Sequence, residues 1–314
     1  MAHRSPDLLF RLVRRLCDAN SHFFIHLDKR TPREPFDSIL SIDRKITFVE
    51  REASYWGEIS YVQATLNAMK AVQRSGISFD RVFLLSGQDY PIKSNLEIDQ
   101  IMSGLPHTIF LEHFALPAFQ KWQPSGGMYR VNKYYFGMPW GKRMLAKAVN
   151  GFGIVFPFLR RRSYQGMKPY SGSTWWIMDM PALDYVLHFV TRNPGYVRYH
   201  RHTFACDEVF FHMILVNATD PVIQRNLVND NLRYIRWKNI KSSHPEILTE
   251  ADLDVLKQSG ALFARKFDSG VDTAILDSID RHCLGVAGKP EVTVAEVSSK
   301  AGVSKSEARA SLVK

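Results

Sequence analysis

Two stretches of this chain carry residue types that can do chemistry. In Val82-Phe83-Leu84-Leu85-Ser86-Gly87-Gln88-Asp89-Tyr90-Pro91-Ile92-Lys93-Ser94, an apolar run stops at small and acidic residues and a proline-fixed turn. Apolar residues in succession read as a strand buried on both faces, as in a parallel sheet covered by helices. In open α/β sheets the ligand crevice lies just past the carboxyl ends of the strands, where Ser86, Gly87 and Asp89 fall. Gly87 permits close backbone approach, and Asp89 either accepts from a sugar hydroxyl or an amide, or merely caps the turn. The second stretch, Leu262-Phe263-Ala264-Arg265-Lys266-Phe267-Asp268, sets two adjacent cations among phenylalanines. It reads as a solvated loop with apolar anchors, or as a diphosphate clamp in which Arg265 forks two oxygens and Lys266 adds a point charge.

Other chemistries lack their residues. His26, His107, His113, His202, His212 and His244 show no H-E-x-x-H or related zinc spacing. Neither a G-x-x-x-x-G-K-[ST] loop nor a G-x-S-x-G turn occurs, so kinase-like and hydrolase readings lose their usual support. Asp252-Leu253-Asp254 formally matches the D-x-D that holds a metal in many sugar-nucleotide enzymes. However, Thr249-x-x-Asp252 reads as a capping box ahead of Leu253, Val255 and Leu256, and a helix points those two carboxylates different ways. No metal site is expected there. Cys17, Cys206 and Cys283 are too few and too scattered for a disulfide framework, so a reducing compartment fits them.

The elements that must position these groups alternate through the first ninety residues as an α/β sheet requires. Pro6 to Ala19 places Leu8, Leu9, Leu12, Val13 and Leu16 at helical spacing, with Arg11, Arg14 and Arg15 opposite. Phe23 to Asp28 reads as a strand ending in an acid, Ile46 to Glu50 as another strand, and Ser60 to Gln73 as a helix after the turn at Trp56-Gly57. Met1-Ala2-His3-Arg4 runs straight into the first helix, so the strand expected to open the first βαβ unit is missing or starts upstream of this numbering. Phe110 to Tyr170 is rich in aromatics, glycine and basic residues with weak periodicity, and is expected to be loop-dominated and to face the acceptor. Gly172 to Met178 reads as a strand and Pro181 to Val190 as a helix. Asp207-Glu208 opens a further helix, with acids in the first turn where the macrodipole favours them.

With 314 residues, 45% of them hydrophobic and 23% charged, the chain can bury a large core, which excludes disorder as its main state. Its net charge of +10 calls for a negative partner: a nucleotide phosphate, an anionic lipid face or nucleic acid. No apolar run is long enough to span a bilayer, and no signal-peptide pattern is present. Met144 to Leu159 is apolar apart from Lys147 and Asn150, and is flanked by Lys142-Arg143 and Arg160-Arg161-Arg162. It suits a segment lying on an anionic membrane surface, or else a buried helix and strand with solvated basic ends.

Several separate stretches together resemble the core-2/I-branching β-1,6-N-acetylglucosaminyltransferases and the related peptide O-xylosyltransferases. They are Phe24-Ile25-His26-Leu27-Asp28-Lys29, the run from Leu84 to Ser94, Gly172-Ser173-x-Trp175-Trp176, Asp207-Glu208-x-Phe210, Asn231-Leu232-Arg233-Tyr234-Ile235-Arg236-Trp237, His244-Pro245, and Leu262 to Asp268. They follow the family's order over about residues 1 to 280. The resemblance implies a GT-A-like α/β fold, a central mostly parallel sheet flanked by helices, and inverting transfer of a sugar from a UDP-sugar without a metal. It implies Glu208 as the base that deprotonates the acceptor hydroxyl, with Asp207 as the competing assignment. Arg265 and Lys266 would lie on the UDP diphosphate, Asp28 on uracil, Trp56 along the uridine pocket, and Met1 to His3 at the end of a first strand beside the nucleotide. The branching enzymes carry a second arginine that would fall near Ser243-His244 here, and Arg265 can take its place as in the xylosyltransferase-like members. Trp175 and Trp176 can offer a ring face to an acceptor sugar, with Trp122 and Trp140 as looser candidates, although strand alternation lets only one of the pair face the site. Glu112 can bind an acceptor hydroxyl.

The expected sugar is N-acetylglucosamine, with xylose the alternative, and the acceptor is a glycan, a glycolipid or a peptide. No cofactor is expected beyond the donor substrate. Residues 1–285 would form the catalytic domain and residues 286–314 a short helical tail. The pattern from Val292 to Ser306 resembles a helix-turn-helix, which makes nucleic-acid binding a distant rival reading. The expected location is cytoplasmic, at the inner membrane face.

Overall fold

The computed structural model describes residues 1–123, 125–239, 242 and 244–286. The tail, with its helix-turn-helix-like pattern at 292–306, lies outside the described residues, as does Ser243. In chain order the elements are α1 (Pro6–Leu16), β1 (Phe23–Ile25), β2 (Ile46–Phe48), α2 (Ile59–Arg74), β3 (Val82–Phe83), β4 (Asp89–Pro91) and α3 (Asn95–Gly104). Next come β5 (Ile109–Ala115), the short α4 (Tyr129–Asn132), α5 (Trp140–Val155), β6 (Tyr170–Met178), α6 (Met180–Arg192), α7 (Pro194–His200) and α8 (Phe210–Val216). The chain continues through α9 (Pro221–Asn226), β7 (Leu227–Val228), β8 (Arg233–Ile235), α10 (Leu253–Gln258), β9 (Phe263–Arg265) and α11 (Ala274–His282).

The class is α/β, with sheets flanked by helices, but the sheet is not one mostly parallel unit. β1 pairs with β2, a second sheet has the order β3-β6-β5-β7, and a third has the order β4-β9-β8. Pairings β1-β2, β5-β7 and β8-β9 are parallel, whereas β3-β6, β5-β6 and β4-β9 are antiparallel. Two of the antiparallel pairings come from β6, which returns from the long excursion after β5 and inserts against the direction of both β3 and β5.

A groove of about 770 Å³ separates β1 from β3, lined by Phe24, Met69, Val82, Leu84 and Trp176 among others. Residues 1 and 2 cross one end of it. Ala2 N–H donates to the His26 carbonyl (2.8 Å) and Asp28 N–H to the Ala2 carbonyl (2.9 Å), a parallel bridge to Leu27. On the other side the Met1 nitrogen donates to the Leu85 carbonyl (2.8 Å) and Gly87 N–H to the Met1 carbonyl (2.9 Å). Residues 1 and 2 thus run parallel to the chain just past the end of β1, as an isolated bridge rather than a strand of their own.

Helix positions follow from the apolar spacing. α1 buries Leu8, Leu9, Phe10, Leu12 and Val13 on one stripe, each contributing roughly 1.5–3 kcal/mol of transfer free energy. Its Arg11 and Arg15 reach Asp280 of α11, both at 2.6 Å. α2, α6 and α8 pack on β6 to form the larger core around Trp176, Tyr196 and Phe210. Ser94 and Glu97 close the capping box of α3, and Thr249 and Asp252 close another where Asp252-Leu253-Asp254 begins α10. Asp252 also accepts from Arg236, while Asp254 is exposed beside Lys257, so the two carboxylates diverge as the helix reading required.

The middle of the chain holds more regular structure than its weak periodicity suggests. β5 runs for 7 residues and α5 for 16. The reading of 144–159 as a buried helix and strand does not hold, because Gly153 is the single buried residue of α5.

Candidate active site

β6 is the element that brings the candidate groups together. Leu111 pairs with Trp176 and His113 with Gly172, so the register shifts around Glu112 and three residues of β6, 173–175, stand opposite one of β5. Such a bulge breaks strand alternation and re-aims side chains. Gly172 is required at its edge, since a Cβ there would lie 1.8 Å from the Glu112 carbonyl oxygen. From this stretch Thr174 Oγ1 donates to the Asp207 carboxylate (2.8 Å) and Ser171 Oγ to the Glu208 carbonyl (2.5 Å). The next residue, Trp175, lies under the Arg265 guanidinium, 4.2 Å from ring centroid to the guanidinium carbon. One strand therefore ties the acidic pair to a cation of the basic pair.

Asp207 and Glu208 lie in a tight helical turn, Cys206–Glu208, just ahead of α8 rather than inside its first turn. Arg130, from α4, meets the Glu208 carboxylate at 2.6 Å, donates to the Ala205 carbonyl (3.0 Å) and lies 3.9 Å above the Trp122 ring. Burial pushes the Glu208 carboxyl up to about 7, with Arg130 opposing and the charges of Asp207 and Glu112 adding to the rise. Glu208 is thus poised at neutral pH, not fully ionised as its place near a helix start suggests. Burial also raises Asp207, against the Thr174 hydrogen bond and the charge of Arg130. The Glu208 side chain is 31% exposed. Glu112 is held by Lys121 (3.0 Å) and Asn231 (3.2 Å).

At the other end Asp89 is fully buried and occupied. It accepts from Ser86 N–H (2.9 Å), Ser86 Oγ (2.8 Å) and Arg265 (3.0 Å), and faces Arg233 at 3.6 Å. Both the turn cap and the ion pairs use its oxygens. Ser86 belongs to the same network, accepting from Arg265 at 3.4 Å. The missing side chain of Gly87 faces Ala2, whose Cβ would be 3.4 Å from a Cβ at 87, so its close approach is to residues 1–2.

Lys266 is partly exposed, and burial together with Arg4 and Arg265 lowers its ammonium pKa while Asp268 opposes. Arg4 pairs with Asp268 at 3.2 Å. Burial and Arg4 likewise lower His3, with Asp28 opposing and Lys266 adding to the fall, which places His3 in this cationic group. Asp28 is buried and accepts from Arg30 N–H (2.8 Å), the Arg30 guanidinium and Ser54 N–H (3.1 Å). Burial pushes its carboxyl up, but those hydrogen bonds outweigh it and hold the group below the usual range. Asp28 thereby shapes the loop at 52–56. Trp56, exposed at the tip of that loop, meets Phe204 (5.2 Å) and His244 (6.2 Å) edge-on.

Neither tryptophan of the β6 pair presents a free ring face. Trp176 is in the core against Phe211, and Trp175 is 8% exposed and committed to Arg265. Trp122 lies under Arg130, and Trp140 is on the outer side of α5.

Three site residues have no role assigned from sequence, although Arg233 lies in one of the family-like stretches. Arg233 shares Asp89 with Arg265, and burial drops its pKa to about 10 with Asp89 opposing. A charged residue within the short strand-like run Arg233-Tyr234-Ile235 is the signal that could have found it. Tyr61, in the first turn of α2, has its hydroxyl pKa raised by burial and by the charge of Asp207, with Arg265 opposing, so it lies within electrostatic reach of both ends. Neither it nor Arg130 carries a motif. Among the described residues no group of three or more His, Cys, Asp or Glu converges on a point that could hold a metal ion.

The family model described as Core-2/I-Branching enzyme matches residues 1–257. The chain is similar to the β-glucuronosyltransferase GlcAT14A of Arabidopsis thaliana, 28% identical over 296 residues that cover 88% of this chain and 61% of that protein. GlcAT14B of the same plant is 27% identical over 292 residues, 88% of this chain and 63% of its own. Xylosyltransferase 2 of Rattus norvegicus is 25% identical over 306 residues, 90% of this chain and 33% of its own. The chain therefore spans about three-fifths of the length of these plant relatives and a third of the rat protein.

Proposed function

From the membership of this chain in the core-2/I-branching enzyme family, we propose that it is an inverting glycosyltransferase that moves a sugar from a UDP-sugar to an acceptor hydroxyl. One observation carries the reading: adjacent residues of β6 hold the acidic pair and the cation, Thr174 on Asp207 and Trp175 under Arg265. Inverting transfer needs that juxtaposition of a base and an anion-stabilising group.

Glu208 takes the proton of the acceptor hydroxyl as that oxygen bonds to the anomeric carbon, and it later returns the proton to solvent. A base whose pKa lies near the working pH combines a useful ionised fraction with enough basicity. The bond from the anomeric carbon to the diphosphate breaks on the opposite face, and its electrons stay on UDP. Arg265 and Lys266 receive that charge, and Asp89 with Trp175 holds Arg265 in place beforehand, so little reorganisation is needed during transfer. In this reading the side-chain cations do the electrostatic work that a divalent ion does elsewhere. Residues 1–285 make up the catalytic domain.

The donor sugar is read as N-acetylglucosamine from the family resemblance, with xylose the alternative; the names of the relatives support xylose and add glucuronic acid. A screen of UDP-N-acetylglucosamine, UDP-xylose and UDP-glucuronic acid in EDTA, by hydrolysis and by transfer to simple acceptors, tests all of this. Turnover of one donor in EDTA that is lost in Glu208→Gln and Lys266→Ala is expected. Turnover only with added Mn²⁺ overturns the role of the cations, and wild-type turnover by Glu208→Gln removes it as the base.

A further inference from the structure

α5 and the turn after it leave their apolar side chains in water. Trp140 is 78% exposed, Phe152 59%, Ile154 73%, Val155 69% and Phe158 78%. Apolar residues grouped this densely on one surface mark a face that something else covers. Residues 138–162 also contain the exposed cations Lys142, Arg143, Lys147, Arg160 and Arg162, and no Asp or Glu.

We infer that this face docks on an anionic lipid bilayer, with the aromatic and aliphatic tips at the depth of the acyl boundary and the cations at the headgroup phosphates. Charge complementarity selects the occupant. A second copy seated on the same face would bring two acid-free basic segments together, and a neutral apolar partner would leave the cations unused. No helix among the described residues is long and apolar enough to cross a membrane, so the contact is with the surface.

The face is fastened to the site. Asn150 accepts from Tyr134 N–H (2.8 Å) and donates to its carbonyl (2.9 Å), while Arg160 closes the end of α5 on the Gly153 carbonyl (2.8 Å). Buried Arg161 donates to the carbonyls of Arg130 (2.7 Å) and Tyr199 (2.9 Å) and to Thr203 (2.5 Å). Since Arg130 carries the ion pair to Glu208, docking fixes how that acidic end of the site is presented to a membrane-borne acceptor.

The test is co-sedimentation of the full chain with vesicles of phosphatidylcholine alone and of phosphatidylcholine with phosphatidylglycerol. Binding to the second kind, falling with added salt, is expected. Each surface cation is worth about fivefold in partitioning, so Lys142→Glu/Arg143→Glu/Lys147→Glu should weaken binding by about a hundredfold or more. Trp140→Ser/Phe158→Ser should weaken it while leaving the circular-dichroism spectrum and turnover on a soluble acceptor unchanged. No binding to the anionic vesicles, equal binding to both kinds, or binding that both variants retain overturns the inference. A dimer by light scattering that Trp140→Ser/Phe158→Ser dissociates, without vesicle binding, gives the face to a second copy instead. Vesicle binding does not depend on turnover, so its failure is distinct from failure of the transferase reading.

Discussion

The two ends of the candidate site handle charge in opposite ways. At the acidic end, Asp207, Glu208 and Glu112 crowd together, and Arg130 is the cation paired with Glu208. At the basic end, Arg265 and Arg233 share Asp89, which Ser86 also holds. The first arrangement leaves a proton in balance near neutral pH; the second holds charges in place and lets them move little. A transferase uses both, a group that can change its protonation and a group that must be ready before charge develops.

The sharpest way to break this contrast is to remove the titrating group. Glu208→Gln should lower turnover about 10²–10⁴-fold, measured with the preferred donor, while the fold stays intact by thermal melting. If Asp207→Asn causes the larger fall and Glu208→Gln a minor one, the roles of the two acids are reversed. The basic end should respond in stability first. Asp89→Asn leaves two guanidinium groups around a neutral amide, and breaking such a buried pair costs about 3–5 kcal/mol. Urea unfolding reads this, and a loss below about 1 kcal/mol would show that water, not Asp89, satisfies the arginines.

Arg265→Ala should lower kcat about 10²–10³-fold, the usual cost of one preorganised group facing developing charge. The effect on the donor KM should be smaller, and a change confined to KM would make Arg265 a ground-state anchor. The smallest expected effect sharpens the acidic end. Activity should rise with pH through about 7 as Glu208 ionises. Arg130→Met should move that limb to higher pH, because the arginine favours the ionised form. Stability should run the other way. The folded-state pKa of Glu208 is raised from an ordinary value of 4.5 to about 7, so the native state holds more protons between those values. It therefore loses stability as pH rises through that window, and Glu208→Gln should remove this part of the slope.

Much of the backbone was legible because local rules dictate it. The apolar spacing of Leu8, Leu9, Leu12 and Val13 placed α1, and the Thr249–Asp252 box marked the turn that starts α10. The abrupt end of the apolar run at Ser86 marked the turn where Ser86 and Asp89 meet Arg265. Pairing direction was less accessible: an apolar run reads the same in a parallel and an antiparallel sheet, so the reversal of β6 between β3 and β5 left no mark. The ring roles of Trp175 and Trp176 failed for a different reason. Alternation does send the two rings to opposite sides, Trp176 into the core and Trp175 to the site, but Arg265 lies on the Trp175 ring and Trp175 is buried.

What residue order determines here is inventory and local shape: which acids are adjacent, which cations are adjacent, where helices are capped, and that 138–162 is basic and acid-free. Tertiary structure decides the partners. It sets Arg130 on Glu208 across 78 positions of sequence, Asp89 between Arg233 and Arg265, and Trp175 beneath the guanidinium. The physical reason is range. Helix propensity and capping act within a few residues, whereas desolvation and charge pairing depend on which distant side chains the packed core brings within a few ångströms.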